Sequence, residues 1–326
     1  MKKIVDDIRL MTKVCDLYYN ENISQVNIAK TLGLSRPTIA RLLNSARDQG
    51  IVEIRISNLE AIRYWELERR LEKDLGLKEV IVVDCGESEE EMKANIGTAA
   101  GRYLVNNVHD GDMVGVSMGS VLHRMVESVK NPDARDVTFI PLIGGMGQLS
   151  MELHSNSLAE KLSSIFGGRY MPIYAPARVS NPRLRADIMS EPNISTAIRL
   201  ADKLDSAFVG IGYPNEYSSI SMTGYYRENE MESLKEREVA GDICMQFFDE
   251  SGDTAPYAKD NYVIGIDIKK LRKVPVCVGT AGGISKLSAI RGAINGGYIN
   301  VLITDITCAS ALDRVGPFPD GKGGYK

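Results

Sequence analysis

From Lys78 onward the chain alternates short Val/Ile-rich runs with longer stretches of helical periodicity, and few folds accept that pattern. The runs are Val80 to Val83, Met113 to Val116, Val137 to Leu142, Tyr170 to Tyr174, Ala207 to Ile211, Val274 to Val278 and Val301 to Ile303. Continuous apolar runs of this length suit strands buried on both faces, and the intervening segments, such as Met92 to Asn106 and Ser157 to Phe166, supply the helices that cover them. The expectation is an α/β domain with a mostly parallel sheet. In open sheets of this kind ligands bind beyond the strand C-termini, and that is where the glycines of this sequence gather.

At 326 residues the chain exceeds one ordinary compact domain, so a second unit is expected N-terminal to the sheet. Its charge differs from that of the rest. Lys2 to Arg55 holds nine Lys/Arg against six Asp/Glu, a net +3, which leaves −7 for the remainder of a chain whose total is −4. A positive segment on an acidic body suits a protein in which only that segment meets a phosphate backbone, although a solvated face gives the same excess. No stretch approaches the roughly 20 apolar residues of a membrane helix, and Asp6, Asp7 and Arg9 interrupt any signal-peptide core, so the protein reads as cytoplasmic. The five cysteines, Cys15, Cys85, Cys244, Cys277 and Cys308, show no spacing for zinc or a disulfide framework, and no metal or cofactor is expected.

Within the positive segment, Ile8, Met11, Val14, Cys15 and Tyr18 recur at helical spacing and predict a first helix ending near Asn20 to Asn22. Ser24 caps a second helix through Leu32, Gly33 ends it, and Ser35 caps a third with Pro37 in its first turn. The pattern Gln25-x-x-Ile28-Ala29-x-x-Leu32-Gly33-Leu34-Ser35-Arg36-x-Thr38-Ile39-x-Arg41-Leu42 resembles the bacterial helix-turn-helix. The resemblance places Gln25, Ser35, Arg36, Thr38 and Arg41 at double-stranded DNA, where arginine reads guanine bidentately and hydroxyls reach bases or phosphates. Ile51 to Ser57 alternates apolar and polar residues and predicts a half-buried strand, as in a winged variant. The expected divisions are therefore a DNA-binding domain at 1–57, a linker helix at 58–77 carrying Tyr64, Leu67, Leu71 and Leu75 on one face, and a ligand-binding and oligomerisation domain at 78–326.

Three glycine-rich segments follow predicted strands. Gly115-Val-Ser117-Met118-Gly119-Ser120 precedes a helix and is either a phosphate cradle, with helix N–H groups and two hydroxyls converging on an anion, or a ligand-free tight turn. The others are Ile143-Gly144-Gly145-Met146-Gly147-Gln148 and Gly279-Thr-Ala-Gly-Gly283-Ile-Ser-Lys286, whose lysine can neutralise an anion. Gly115-x-Ser117-x-Gly119 also matches a hydrolase nucleophile elbow, but His109, His123 and His154 are the only histidines and none lies in the C-terminal half, where that fold needs one. Ser285 and Leu287 flank Lys286 where a Walker motif needs Gly and Ser/Thr, which disfavours ATP hydrolysis. The candidate effector residues are Ser117, Met118, Gly119, Ser120, Gly144, Gly145, Gln148, Asp249 and Lys286; for Asp249, before Ser251-Gly252, a simple turn-forming role stands equally open.

Taken together, the helix-turn-helix, Gly115 to Ser120, Leu142 to Gly145, Ala175-Pro-Ala177, Gly241-Asp-Ile243 with Phe248-Asp249, Ala281-Gly-Gly283 with Lys286, and Asn300 to Asp305 resemble, in order, the sorbitol-operon-regulator (SorC) family of sugar-sensing transcriptional regulators over essentially the whole chain. The resemblance implies a C-terminal domain similar to the phosphosugar isomerase and CoA-transferase superfamily, retained for binding without turnover, and a homo-oligomer, dimer or tetramer. It also implies a sugar-phosphate effector held by the loops around Ser117 and Lys286. The loop Ser-Met-Gly-Ser departs from the threonine-rich form of many relatives, so effector identity does not transfer. The competing reading is an active phosphosugar isomerase or deaminase with an appended DNA-binding domain, for which Asp249 is the candidate base.

Overall fold

The computed structural model describes residues 8–53, 63–130, 132–145, 147–148, 150–214 and 219–316. The chain divides into two compact units, Met1–Arg63 and Tyr64–Lys326.

In the smaller unit α1 (Ile8–Cys15) widens into a π-helical turn, Asp16–Asn20, and is followed by α2 (Gln25–Leu32) and α3 (Arg36–Asp48). Their boundaries follow from local chemistry. The Ser24 hydroxyl accepts the Asn27 N–H, Gly33 closes α2 at φ 65°, and the Ser35 hydroxyl accepts the Thr38 N–H. Such caps contribute about 1 kcal/mol each. Met11, Val14, Ile28, Ala29, Ile39, Leu42, Leu43 and Ala46 form the core, and small Ala29 lets α2 and α3 approach. Ile51 and Val52 return to the carbonyl of Ala46; the rest of the strand expected at 51–57 lies outside the described residues.

The larger unit opens with α4 (Trp65–Leu75), followed by β1 (Glu79–Val83), α5 (Glu89–Asn107), β2 (Met113–Val116), α6 (Ser120–Ser128), β3 (Thr138–Pro141), α7 (Ser155–Phe166) and β4 (Arg169–Tyr170). Then come α8 (Pro182–Ser190), α9 (Pro192–Leu200), β5 (Ser206–Gly210), α10 (Ser219–Met222), α11 (Glu228–Glu236), the hairpin β6 (Gly241–Ile243) and β7 (Gln246–Phe248), β8 (Val276–Thr280), α12 (Leu287–Asn295), β9 (Val301–Asp305) and α13 (Ile306–Val315). Seven strands form one sheet in the order β1-β9-β8-β5-β2-β3-β4, and each pairing in it is parallel. Every predicted run contributes a strand, although only Arg169 and Tyr170 pair in the segment expected to run to Tyr174.

Side chains alternate across the sheet even where the sequence is continuously apolar. Phe139, Phe208, Val278 and Ile303 pack under α5, α6 and α7, while Ile140, Ala207, Val209, Cys277 and Leu302 face the opposite layer with α4, α12 and α13. Phe139, Phe166 and Phe208 are fully buried, worth about 1.5–3 kcal/mol apiece. The helix expected as a linker is a packed part of this unit: Leu71 and Leu75 are buried in its core, and Arg70 pairs with Asp313 at 3.1 Å. Glu68 and Glu72 of α4 also accept the N–H groups of Val82 at 2.8 Å and Val80 at 3.1 Å, on the edge strand β1. Chain order along the sheet reverses between β2 and β5, so the crevice where ligands bind in open α/β sheets opens at the C-terminal ends of those strands.

Candidate functional site

A cavity of about 120 Å³ lies at that crevice. Its floor is the loop from β2 into α6. Ser117 is 1% exposed and its N–H is held by the carbonyl of Phe208 at 3.0 Å, which fixes the loop to β5. Gly119 adopts φ 121°, a conformation that a side chain strains, and no atom lies near its missing Cβ. No side chain caps α6, whose first turn, Ser120 to Leu122, lines the cavity. The N–H groups of a helix's first turn lack intrahelical partners and carry the positive end of its dipole, so this wall is built to receive an anion.

The loop after β8 supplies the opposite wall. Thr280 donates its hydroxyl to the carbonyl of Val209, Gly283 turns at φ 87°, and its N–H is held by the Asp305 carboxylate at 2.5 Å. Lys286 thereby lines the cavity half-buried, with no ion pair or side-chain hydrogen bond among the described residues. Burial lowers its pKa from the usual lysine range, opposed by the charges of Asp242 and Glu89.

The third wall was not foreseen as part of the site. Asp242, at 4% exposure, lies in the hairpin β6–β7 and bridges Gly212 through both backbone groups. Its Oδ2 accepts the Met245 N–H at 3.2 Å, and burial pushes its pKa up to about 6 despite Lys286 and that hydrogen bond. Cys244 and Met245 turn the hairpin at φ 52° and 59°, and the Cys244 thiol donates to the Ser117 hydroxyl at 3.3 Å. Burial pushes that thiol's pKa up to about 12, so it is an inert packing group rather than a nucleophile. No histidine lines the cavity among the described residues, and the side-chain partner of the Ser117 hydroxyl there is a thiol, not a base.

Of the expected effector residues, Ser117, Met118, Gly119, Ser120 and Lys286 come together here; Gly144, Gly145, Gln148 and Asp249 do not. Gly144 and Gly145 let two backbones meet: a Cβ on Gly144 would lie 2.5 Å from the carbonyl oxygen of Ala175, and the Gly145 N–H bonds to that same oxygen at 2.7 Å. Gln148 donates its N–H to Thr223. Asp249 folds its own turn, its carboxylate accepting from the Ser251 hydroxyl at 2.6 Å and the Asp253 N–H at 2.9 Å. Asp249, the candidate base of that reading, is therefore turned to its own loop and does not line the cavity.

In the smaller unit Ser35, Arg36 and Arg41 are exposed, and Gln25 and Thr38 half-exposed. The hydroxyls of Ser35 and Thr38 lie 2.8 Å apart at the start of α3, and neither arginine has an ion pair among the described residues. Arg47, further along α3, is held by the Tyr19 hydroxyl at 2.8 and 3.1 Å, bracing α3 against the turn after α1.

Comparison with known proteins gives the family. Residues 60–312 match the family model described as "Putative sugar-binding domain". The sorbitol operon regulator of Klebsiella pneumoniae is 35% identical over 94% of this chain and 98% of its own length, and the deoxyribonucleoside regulator of Bacillus subtilis is 30% identical over 93% and 97%. The crystal structure of full-length SorC from Klebsiella pneumoniae superposes with a TM-score of 0.72, covering 94% of this chain and 99% of that one. That of the probable sor operon regulator from Shigella flexneri, 33% identical, gives 0.71 over 77% and 99%. A DNA-reading motif, a sugar-binding domain and relatives that are regulators rather than enzymes lead to one conclusion: the chain belongs to the SorC-type family of sugar-sensing bacterial transcriptional regulators.

Proposed function

We propose that the cavity of the larger unit binds a small phosphorylated sugar and that this binding changes the affinity of the smaller unit for operator DNA controlling a carbohydrate operon. The observation that carries the reading is that the uncapped N-terminus of α6 and Lys286, which has no ion pair among the described residues, line one cavity. The phosphate sits on the α6 N–H groups with the Ser117 and Ser120 hydroxyls, Lys286 neutralises it, and Asp242 accepts hydrogen bonds from sugar hydroxyls. Gln25, Ser35, Arg36, Thr38 and Arg41 contact DNA in the cytoplasm, and a dimer or tetramer presents two such motifs to two half-sites.

The test is thermal melting of the full chain with free sugars, their phosphate esters and inorganic phosphate. At 100 times its Kd a specific ligand adds about 2.7 kcal/mol. The expected result is stabilisation by phosphate esters alone, lost in Ser117→Ala/Lys286→Ala. The same ester must shift the affinity for a duplex selected from a random pool, and that duplex must shift the ester's affinity by the same factor. Stabilisation by a free sugar alone would remove the phosphate assignment, and an unmoved DNA affinity would remove the regulatory one.

A further inference from the structure

One wall of the cavity plays no part in anchoring the phosphate. Glu89, Met92, Lys93 and Ile96 stand at positions i, i+3, i+4 and i+7 of α5 and all four line the cavity. The helix is held close to α6, because a Cβ on Gly97 would lie 2.5 Å from the Cβ of Arg124. Its face therefore keeps a set distance from the anion-binding turn. Lys93 is the second ammonium of the cavity and, unlike Lys286, it is already neutralised: its Nζ lies 2.8 Å from Oε1 of Glu89 and 3.0 Å from Oε1 of Glu90. Glu90 is shared with Arg124 at 3.3 Å, whereas Glu89 has Lys93 as its one ion-pair partner among the described residues. Glu89 and Lys93 are thus a neutral pair on the lining, and among the described residues this wall offers no free cation beside the α6 N-terminus and Lys286.

We infer that the Glu89–Lys93 pair determines specificity for the end of the ligand remote from its phosphate, and selects a sugar monophosphate over a bisphosphate; this rests on the phosphate reading above. A sugar hydroxyl accepts a hydrogen bond from Lys93 and donates one to Glu89 at once, so the pair receives it without losing its own neutrality. A second phosphate meets the carboxylate of Glu89 and an ammonium whose charge is already spent. The Glu89 side chain is 74% exposed, so solvent screens its charge and the discrimination from either member of the pair is about two- to fivefold, shrinking as ionic strength rises.

Kd values of the full chain for fructose 6-phosphate and fructose 1,6-bisphosphate, measured by calorimetry at low and high salt, test this; inorganic phosphate and pyrophosphate give the same comparison if the fructose carbons do not fit. The native chain is expected to bind the monophosphate more tightly. Glu89→Gln should narrow the ratio about two- to fivefold and Lys93→Gln widen it by a similar factor, with both effects fading at high salt. Opposite directions distinguish charge selection from a general loss of structure, and unchanged melting temperatures confirm that the substitutions leave the fold intact. A bisphosphate bound as tightly as the monophosphate, or a ratio that both variants leave unmoved or move alike, would overturn the inference. If Ser117→Ala/Lys286→Ala still abolishes phosphate binding, only the role of α5 falls; if that double variant changes nothing, or no phosphate binds, the anchor falls and the inference with it.

Discussion

Asp242→Asn is expected to stabilise the larger unit above pH 6 while abolishing its response to ligand. Burial outweighs the attraction of Lys286 and the Met245 N–H, moving the carboxyl from 3.8 up to about 6. The native state thus holds this proton more firmly than the unfolded chain does. The stabilisation from that proton is complete below pH 3.8, fades as pH rises through the window, and is gone above 6, where the native state carries a penalty of about 3 kcal/mol at 1.36 kcal/mol per pKa unit. Asparagine keeps an oxygen for the Met245 N–H and carries no charge, so at pH 8 the variant recovers on the order of 2–3 kcal/mol, and progressively less towards pH 4. In a unit of this size each kcal/mol moves Tm by about 2–4 °C. The sole tryptophan, Trp65, begins α4 and reports on the larger unit, so its fluorescence in melts at pH 5 and pH 8 gives the assay. A variant less stable than the native chain at pH 8, or a gain of equal size at both pH values, would refute the reasoning.

Two further outcomes follow from the packing and from the exposed face of α3. Gly97→Ala places a methyl group against the Arg124 backbone and is expected to cost about 1–3 kcal/mol of overpacking and to weaken ligand binding as α5 shifts, read by denaturant titration with and without ligand. Arg41→Ala is expected to weaken operator binding by about 1–3 kcal/mol with melting unchanged, checked by anisotropy at fixed salt; equal affinity would remove α3 from the groove.

The sheet was legible because each strand is a short apolar run bounded by glycine or polar residues, and buried strands admit few other readings. The loops at Ser117 and Lys286 were legible for the same reason: the strand-glycine-helix succession places a helix N-terminus in the crevice whatever the ligand. Asp242 was not. Its hairpin turns on Cys244 and Met245 at positive φ, where the usual signal is Asn-Gly, so nothing local announced a turn. The traces were the Gly241-Asp-Ile243 motif of the resemblance, which carried no role, and a lone carboxylate inside the apolar run Val239 to Met245, a costly place for a charge. The α5 face was hidden differently, since Glu89, Met92, Lys93 and Ile96 read as an ordinary amphipathic first turn until the sheet order brings them over the crevice. Gly144 and Gly145 misled because a glycine pair after a strand serves close backbone passage as readily as a ligand.

The carboxylates of Glu68 and Glu72 stand where a neighbouring strand would stand, taking up two N–H groups along β1. A sensor fragment cut at Lys78, where strand periodicity begins, would lose them and present a bare Val/Ile ribbon, Val80 to Val83, ready to pair with the same ribbon of another molecule. The helix that follows the DNA-reading unit therefore also keeps the sensor from aggregating through its own edge, and fragments beginning at Tyr64 are the ones to express.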